Sequence, residues 1–173
     1  MTVYKQKIEV QSTGERPTFV DLTSEVRETI ENSGVSNGIV TVVTPHTTCA
    51  IFYEEFAHDL NEFGQDTLQV ELDRVLQKII PNHDSEDTYI YPGPEHFNEV
   101  MSWPNADNYL PNKDISDLWN GDAHLKATII GASESFEVDK GKLAVGKTGY
   151  IYFVDFDRAR PRKRSCSIIV IGE

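Results

Sequence analysis

The side chains best able to move protons or hold a metal at neutral pH are five histidines, His46, His58, His83, His96 and His124. No two lie four residues apart, so spacing alone writes no helical zinc pair. His46 stands in Thr44-Pro45-His46-Thr47-Thr48-Cys49, where two hydroxyls beside an imidazole can donate to an anionic group. Glu54 and Glu55 end the same apolar run, and a carboxylate there could orient the ring or bind a divalent ion. His124 sits between Asp122 and Lys126; in a strand, His124 and Lys126 share a face and pair a titratable ring with a fixed charge. His46, His124, Glu55 and Lys126 are therefore the candidate catalytic residues. A Cys49 nucleophile is less favoured, because His46 and Cys49 fall on opposite faces of a regular strand.

A second set could grip phosphate. Thr47 and Thr48 are hydroxyl donors, and Ser133 follows Gly131-Ala132 at a strand end, where a hydroxyl and backbone N–H groups can cradle an oxyanion. Arg158 and Arg160 open a run of five cations in seven residues, 158–164, behind Asp155-Phe156-Asp157. Arginine there could hold a phosphorylated ligand bidentately.

The elements must position these residues. The chain has 173 residues, enough for a domain with a sizeable core, and no apolar run approaches the roughly 18 residues of a membrane span. Its opening, MTVYKQKIEV, lacks an apolar signal region, so a cytoplasmic location is expected. Cys49 and Cys166 fit reduced core thiols. Val3, Ile8 and Val10 read as a first strand, and Asp21 to Gly34 as a short capped helix. Strands are expected at 38–44 and 47–53. Leu68, Leu72, Val75, Leu76 and Ile79 predict a helix over 65–80 with its apolar face in the core. Residues 82–122 hold both tryptophans and four prolines without periodicity; short local elements are expected there, forming a lid, a subunit contact or an excursion packed on its own aromatics. From His124 onward everything reads as strand: 124–130, 135–138, 143–145, 150–154 and 167–171. The fold class is α+β, a single domain whose short strands suit an antiparallel sandwich or barrel-like layer beside the two helices.

The net charge is -12, from 16 Lys and Arg against 28 Asp and Glu. That surplus disfavours nucleic acid and anionic membranes as partners. It is unevenly spread: residues 1–122 carry 7 cations and 22 acids, residues 123–173 carry 9 cations and 6 acids. The part holding His124, Lys126 and the arginines is thus mildly basic, which suits a phosphorylated small molecule.

The order of these motifs resembles the YjbQ-like family, also described as the secondary thiamine-phosphate synthase family. The residues that carry the likeness are His46-Thr47-Thr48-Cys49-Ala50 with Glu55, His124-Leu125-Lys126-Ala127, Gly131-Ala132-Ser133, Gly141-Lys142-Leu143 with Gly146, and Asp155-Phe156-Asp157. The likeness covers the chain except roughly residues 82–120, an enlarged aromatic and proline-rich loop. Where relatives read Gly-Thr-Trp-Gln this chain has Gly146-Lys147-Thr148-Gly149, and where they read His-x-His it has Asp122-Ala123-His124. The resemblance implies a sandwich with two helices, a homotrimer, and weak thiamine-phosphate synthase activity joining a pyrimidine methyl pyrophosphate to a thiazole phosphate. His83 or His96 would stand in for a histidine that relatives carry after the second helix. Two alternatives remain open: a non-catalytic phosphate-ligand or metal-binding module, and a hydrolase using a divalent metal ion held by Asp122, His124 and His83, with His46 nearby.

Overall fold

The computed structural model describes residues 1–173. The β-branched stretches pair antiparallel throughout. β1 (Thr2–Ser12), β8 (Arg162–Gly172), β3 (Asn37–Val43), β5 (Ser133–Asp139) and β6 (Lys142–Leu143) form one sheet in that order. β2 (Thr18–Asp21), β7 (Gly149–Asp155) and β4 (Cys49–Glu55) form a second. Alternate residues of each strand face the partner sheet, so Val40, Val42, Cys166, Ile168 and Val170 meet Cys49, Ile51, Ile151 and Phe153 in one core. The expected antiparallel sandwich is present.

Helix α1 (Thr23–Ser33) adds Val26 and Ile30 to that core. It starts where the Asp21 carboxylate accepts from the Thr23 N–H at 2.8 Å, and it ends at Gly34, whose φ of 67° is left-handed. The second helix is also present, as α2 (Thr67–Leu76), capped by Asp66 accepting from the Leu68 N–H. Its apolar face is only partly core: Leu72 and Leu76 turn inward, whereas Leu68, Val75 and Ile79 are exposed.

One expectation is overturned. Residues 124–130 are not a strand but the end of helix α4 (Gly121–Ile130). The β-branched tail Thr128-Ile129-Ile130 suggested strand, but Ala123 and Ala127, one turn apart, are small enough to bring the helix against Ala50, Phe52, Tyr152, Val154 and Phe156 on the outer face of the smaller sheet. Burial there outweighs local preference, which spans only about 1 kcal/mol. Gly131, at φ 109°, turns the chain from α4 into β5.

The 82–120 stretch holds helix α3 (Pro94–Met101) and two 3-10 turns, Ala106–Asn108 and Ile115–Leu118. Val100, Leu110 and Leu118 form a small core of their own with Phe97 and Tyr109 packed against it. The molecule therefore has four α-helices rather than two. None is long and apolar enough to cross a membrane.

Candidate functional site

β7 runs through the middle of the smaller sheet and delivers two carboxylates to its end. Asp155 is 0% exposed and Asp157 1% exposed. Charges taken so far out of water need partners with good geometry. β8 supplies them from the opposite sheet: the Arg164 Nε lies 2.8 Å from Asp155 Oδ2, and an Arg162 Nη2 lies 2.9 Å from Asp157 Oδ2. Thr48 donates its hydroxyl to Asp155 at 3.1 Å and accepts from Arg164 at 3.0 Å; the Asn120 amide donates to Asp157 at 3.0 Å. Two arginines of the basic run are thus spent inside the molecule. Arg158 is partly spent, at 3.1 Å from Asp84 and 3.8 Å from Asp122. Arg160 has no carboxylate partner and donates only to the Asp117 carbonyl at 3.3 Å.

The histidines stand around this network. His46, between β3 and β4, accepts the Ser165 N–H on Nε2 at 3.0 Å, so its proton is placed on Nδ1. Burial is the main cause lowering its pKa, with the Arg164 charge adding to it. His124 on α4 is lowered by burial too; Asp157 and the Thr47 backbone pull less strongly the other way. Both rings are neutral near pH 7. His124 opens into a 640 Å³ cavity with Tyr89, Ile90, Tyr91, His96 and Leu125. Tyr91 stands edge-on to the His124 ring at 5.6 Å, and its hydroxyl lies 3.3 Å from His96 Nε2. His46 and Thr47 line a separate 280 Å³ cavity with Cys49, Ala127 and Gly131. The Cys49 thiol is pushed far up by burial and Cys166 to about 11, so both stay protonated and inert.

The structure places the remaining candidates elsewhere. Because α4 is a helix, residues two apart diverge by about 200°, and Lys126 turns away from His124. Lys126 is 0% exposed, and its ammonium lies 3.0 Å from Asp73, 3.4 Å from the Asn82 side chain and 3.6 Å from Asp122. This lysine fastens α4 to α2 and is not free for catalysis. Asp122 and His124 diverge for the same reason. Asp122 lies between Lys126 and Arg158, while His83 accepts the Gly121 N–H on Nδ1 at 3.2 Å and stacks on Trp119 at 5.5 Å. Asp122, His124 and His83 thus do not converge, and no group of three His, Cys, Asp or Glu side chains is placed to hold a metal ion. The residues present do not fit a metal centre. Glu55 is exposed at the far end of β4 from His46, about 20 Å along the strand from Cys49. Ser133 is exposed at the start of β5. Thr47 stays beside the histidines, and Arg158 and Arg160 meet in a third cavity with His83.

Several features of the site were not singled out from sequence: Asp155 and Asp157 as the buried anchor, Arg162 and Arg164 as their partners, Asn120, and Tyr91 in the wall of the His124 cavity. A signal existed for the first four. Asp-x-Asp and Arg-x-Arg, each at the period of a strand, place like residues on one face.

The family model described as "UPF0047 protein YjbQ-like" matches residues 6–173. A UPF0047 protein of Methanothermobacter thermautotrophicus is 27% identical over 173 residues, covering 100% of this chain and 95% of that one. Another, from Archaeoglobus fulgidus, is 29% identical over 156 residues, covering 87% and 90%. Among solved structures, an uncharacterised YjbQ/UPF0047 protein of Clostridium acetobutylicum superposes with a TM-score of 0.68 at 25% identity, over 96% of this chain and 99% of its own. A YbjQ-like protein of unknown function from Sulfolobus solfataricus gives 0.62 at 30% identity, over 99% and 98%. With the family model and the sandwich in agreement from end to end, the chain belongs to the YjbQ-like, or UPF0047, family.

Proposed function

We propose that this protein is a small-molecule enzyme acting on a phosphorylated substrate, with His124 as its proton-handling group. The observation that carries the reading is the His124 ring: it is neutral, half-buried, and set in the wall of a 640 Å³ cavity beside Tyr91 and His96. A neutral imidazole in such a place can take a proton from a reacting group or pass one to it. The thiamine-phosphate synthase reaction implied by the family likeness needs an apolar chamber for a heteroaromatic ring and cations for phosphates. Tyr89, Tyr91 and Leu125 supply the first, and the neighbouring arginines the second. His46 holds the Thr44–Thr48 turn in place through the Ser165 N–H and acts as a positioning residue. The metal-dependent hydrolase finds no support, because Asp122, His124 and His83 are not brought together as a group that could hold an ion.

Assembly as a homotrimer is part of the proposal. Ile90 and Leu125 are exposed in the wall of the His124 cavity and Ile129 is exposed one turn further along α4, and a partner subunit would bury them. The test of function is His124→Gln, assayed with a pyrimidine methyl pyrophosphate and a thiazole phosphate. Turnover is expected to fall by about 100-fold or more, with the melting temperature nearly unchanged. Turnover that survives the substitution overturns the assignment.

A further inference from the structure

We infer that the 420 Å³ cavity lined by His83, Asn112, Ser116, Trp119, Arg158 and Arg160 binds a compact phosphate-type oxyanion, as a subsite separate from the His124 cavity. Three observations lead there. Arg160 is a partly buried cation with no carboxylate within ion-pair distance, although its neighbours Arg158, Arg162 and Arg164 all have one. Burial and the nearby Arg162 charge act against its protonated form more strongly than the Asp157 and Asp117 carboxylates favour it. An arginine left in that position lacks the counter-charge that an oxyanion would bring.

The second observation concerns His83. The residue is 3% exposed, its Nδ1 is occupied by the Gly121 N–H, and its Nε2 is buried with no hydrogen-bond partner. The Gly121 bond fixes the tautomer, so the orphan is an N–H donor even when the ring is neutral, and burial keeps it neutral. A buried donor left unmade forfeits its hydration without a bond in return. Stacking on Trp119 and the edge-on Tyr89 hold the ring rigidly. A residue that looked from sequence like a metal ligand is therefore built as a donor.

The third observation is the state of the acids in the same wall. Asp117 is saturated by the Asn112 N–H at 2.9 Å and the Asn112 side-chain amide at 2.7 Å. Asp84 is exposed and bound to Arg158, a contact that a phosphate could displace at little cost because it is solvated. Neither acid meets Arg160. His83 stands between the two cavities: its Nδ1 is bonded to Gly121, which lines the His124 cavity together with Tyr89, and the residue also lines the arginine cavity. The inference rests on the proposed function only in taking the substrate as phosphorylated; binding at this subsite can hold without turnover.

The experiment is isothermal titration of the full chain with inorganic phosphate and with pyrophosphate at fixed salt, using the wild type, Arg160→Gln, His83→Gln and His124→Gln. Gln at 83 retains an acceptor for the Gly121 N–H, and thermal melts of each variant confirm the fold. Saturable wild-type binding is expected, weakened about tenfold or more by Arg160→Gln and by His83→Gln and unchanged by His124→Gln. Absence of wild-type binding, equal affinity in the Arg160 and His83 variants, or equal binding of acetate overturns the inference. If phosphate affinity ignores position 160 while His124→Gln abolishes turnover, the subsite fails and the enzyme stands. If Arg160→Gln loses phosphate while His124→Gln turns over normally, the reverse holds.

Discussion

Asp155 and Asp157 keep their charges inside the molecule only because Arg164 and Arg162 reach them from the other sheet. Removing one member leaves a buried, uncompensated charge, which typically costs 3–5 kcal/mol, roughly a third or more of a domain's stability. Arg164→Ala is expected to lower the unfolding free energy, measured by urea titration, by that much. Arg164→Lys should recover part of it, since a point charge cannot serve Asp155 and Thr48 together. The histidines set a pH dependence. His46, His83 and His124 all have depressed pKa values in the fold, mainly from burial. Between the ordinary histidine value of about 6.5 and the depressed one, the unfolded chain binds more protons than the folded one. Stability is thus fully present above that range and falls as pH drops through it, before most carboxylates titrate. Melting temperatures at pH 7.5, 6.5 and 5.5 should decline in that order, and His124→Gln should flatten the slope.

Helices α1 and α2 are legible in the sequence because Asp21 and Asp66 announce their starts and the apolar spacing is regular. α4 is not: seen alone, its last seven residues fit a strand as well as a helix, and only contact with the smaller sheet decides between them. That misreading put Lys126 on the wrong face and so into the catalytic set. The histidine motifs were legible at positions 46 and 124, but which cavity each residue lines depends on turns that no local pattern encodes. The segment 82–120 was illegible for a related reason: its own core, from Val100, Leu110 and Leu118, joins residues too few and too scattered to make a period. At this scale Lys126 is a clasp between α4 and α2. Lys126→Met should leave Asp73 without its cation and Asp122 with Arg158 alone, and cost about 3 kcal/mol or more. Hydrogen exchange should locate the loosening at α4 before the sandwich strands.

For the whole molecule, the basic character of residues 123–173 looked like a ready anion site, yet three of its nine cations, and part of a fourth, are spent on internal carboxylates. Arg162 and Arg164 neutralise the β7 carboxylates, and Lys126 neutralises acids of α2 and α4. What remains for a ligand in the arginine cavity is Arg160 with part of Arg158. The proposed trimer is checked by light scattering, which should give three times the 19.5 kDa chain mass. Leu125→Glu with Ile129→Glu should reduce it to one chain, because a buried charge opposes association.

The crossing from β7 to β8 carries a further consequence. Arg162 and Arg164 occupy the same inward row as Cys166, Ile168 and Val170. A single residue added between Asp157 and Arg162, if the pairing of β8 with β1 slipped to absorb it, would rotate that row outward and bring Lys163 and Ser165 inward, stripping both aspartates at once. An insertion of two would restore the parity. The register of β8 therefore ties both ion pairs to its apolar row: homologous chains that keep the two aspartates are expected to keep their cations an even number of residues before the position of Cys166, whatever the length of the turn.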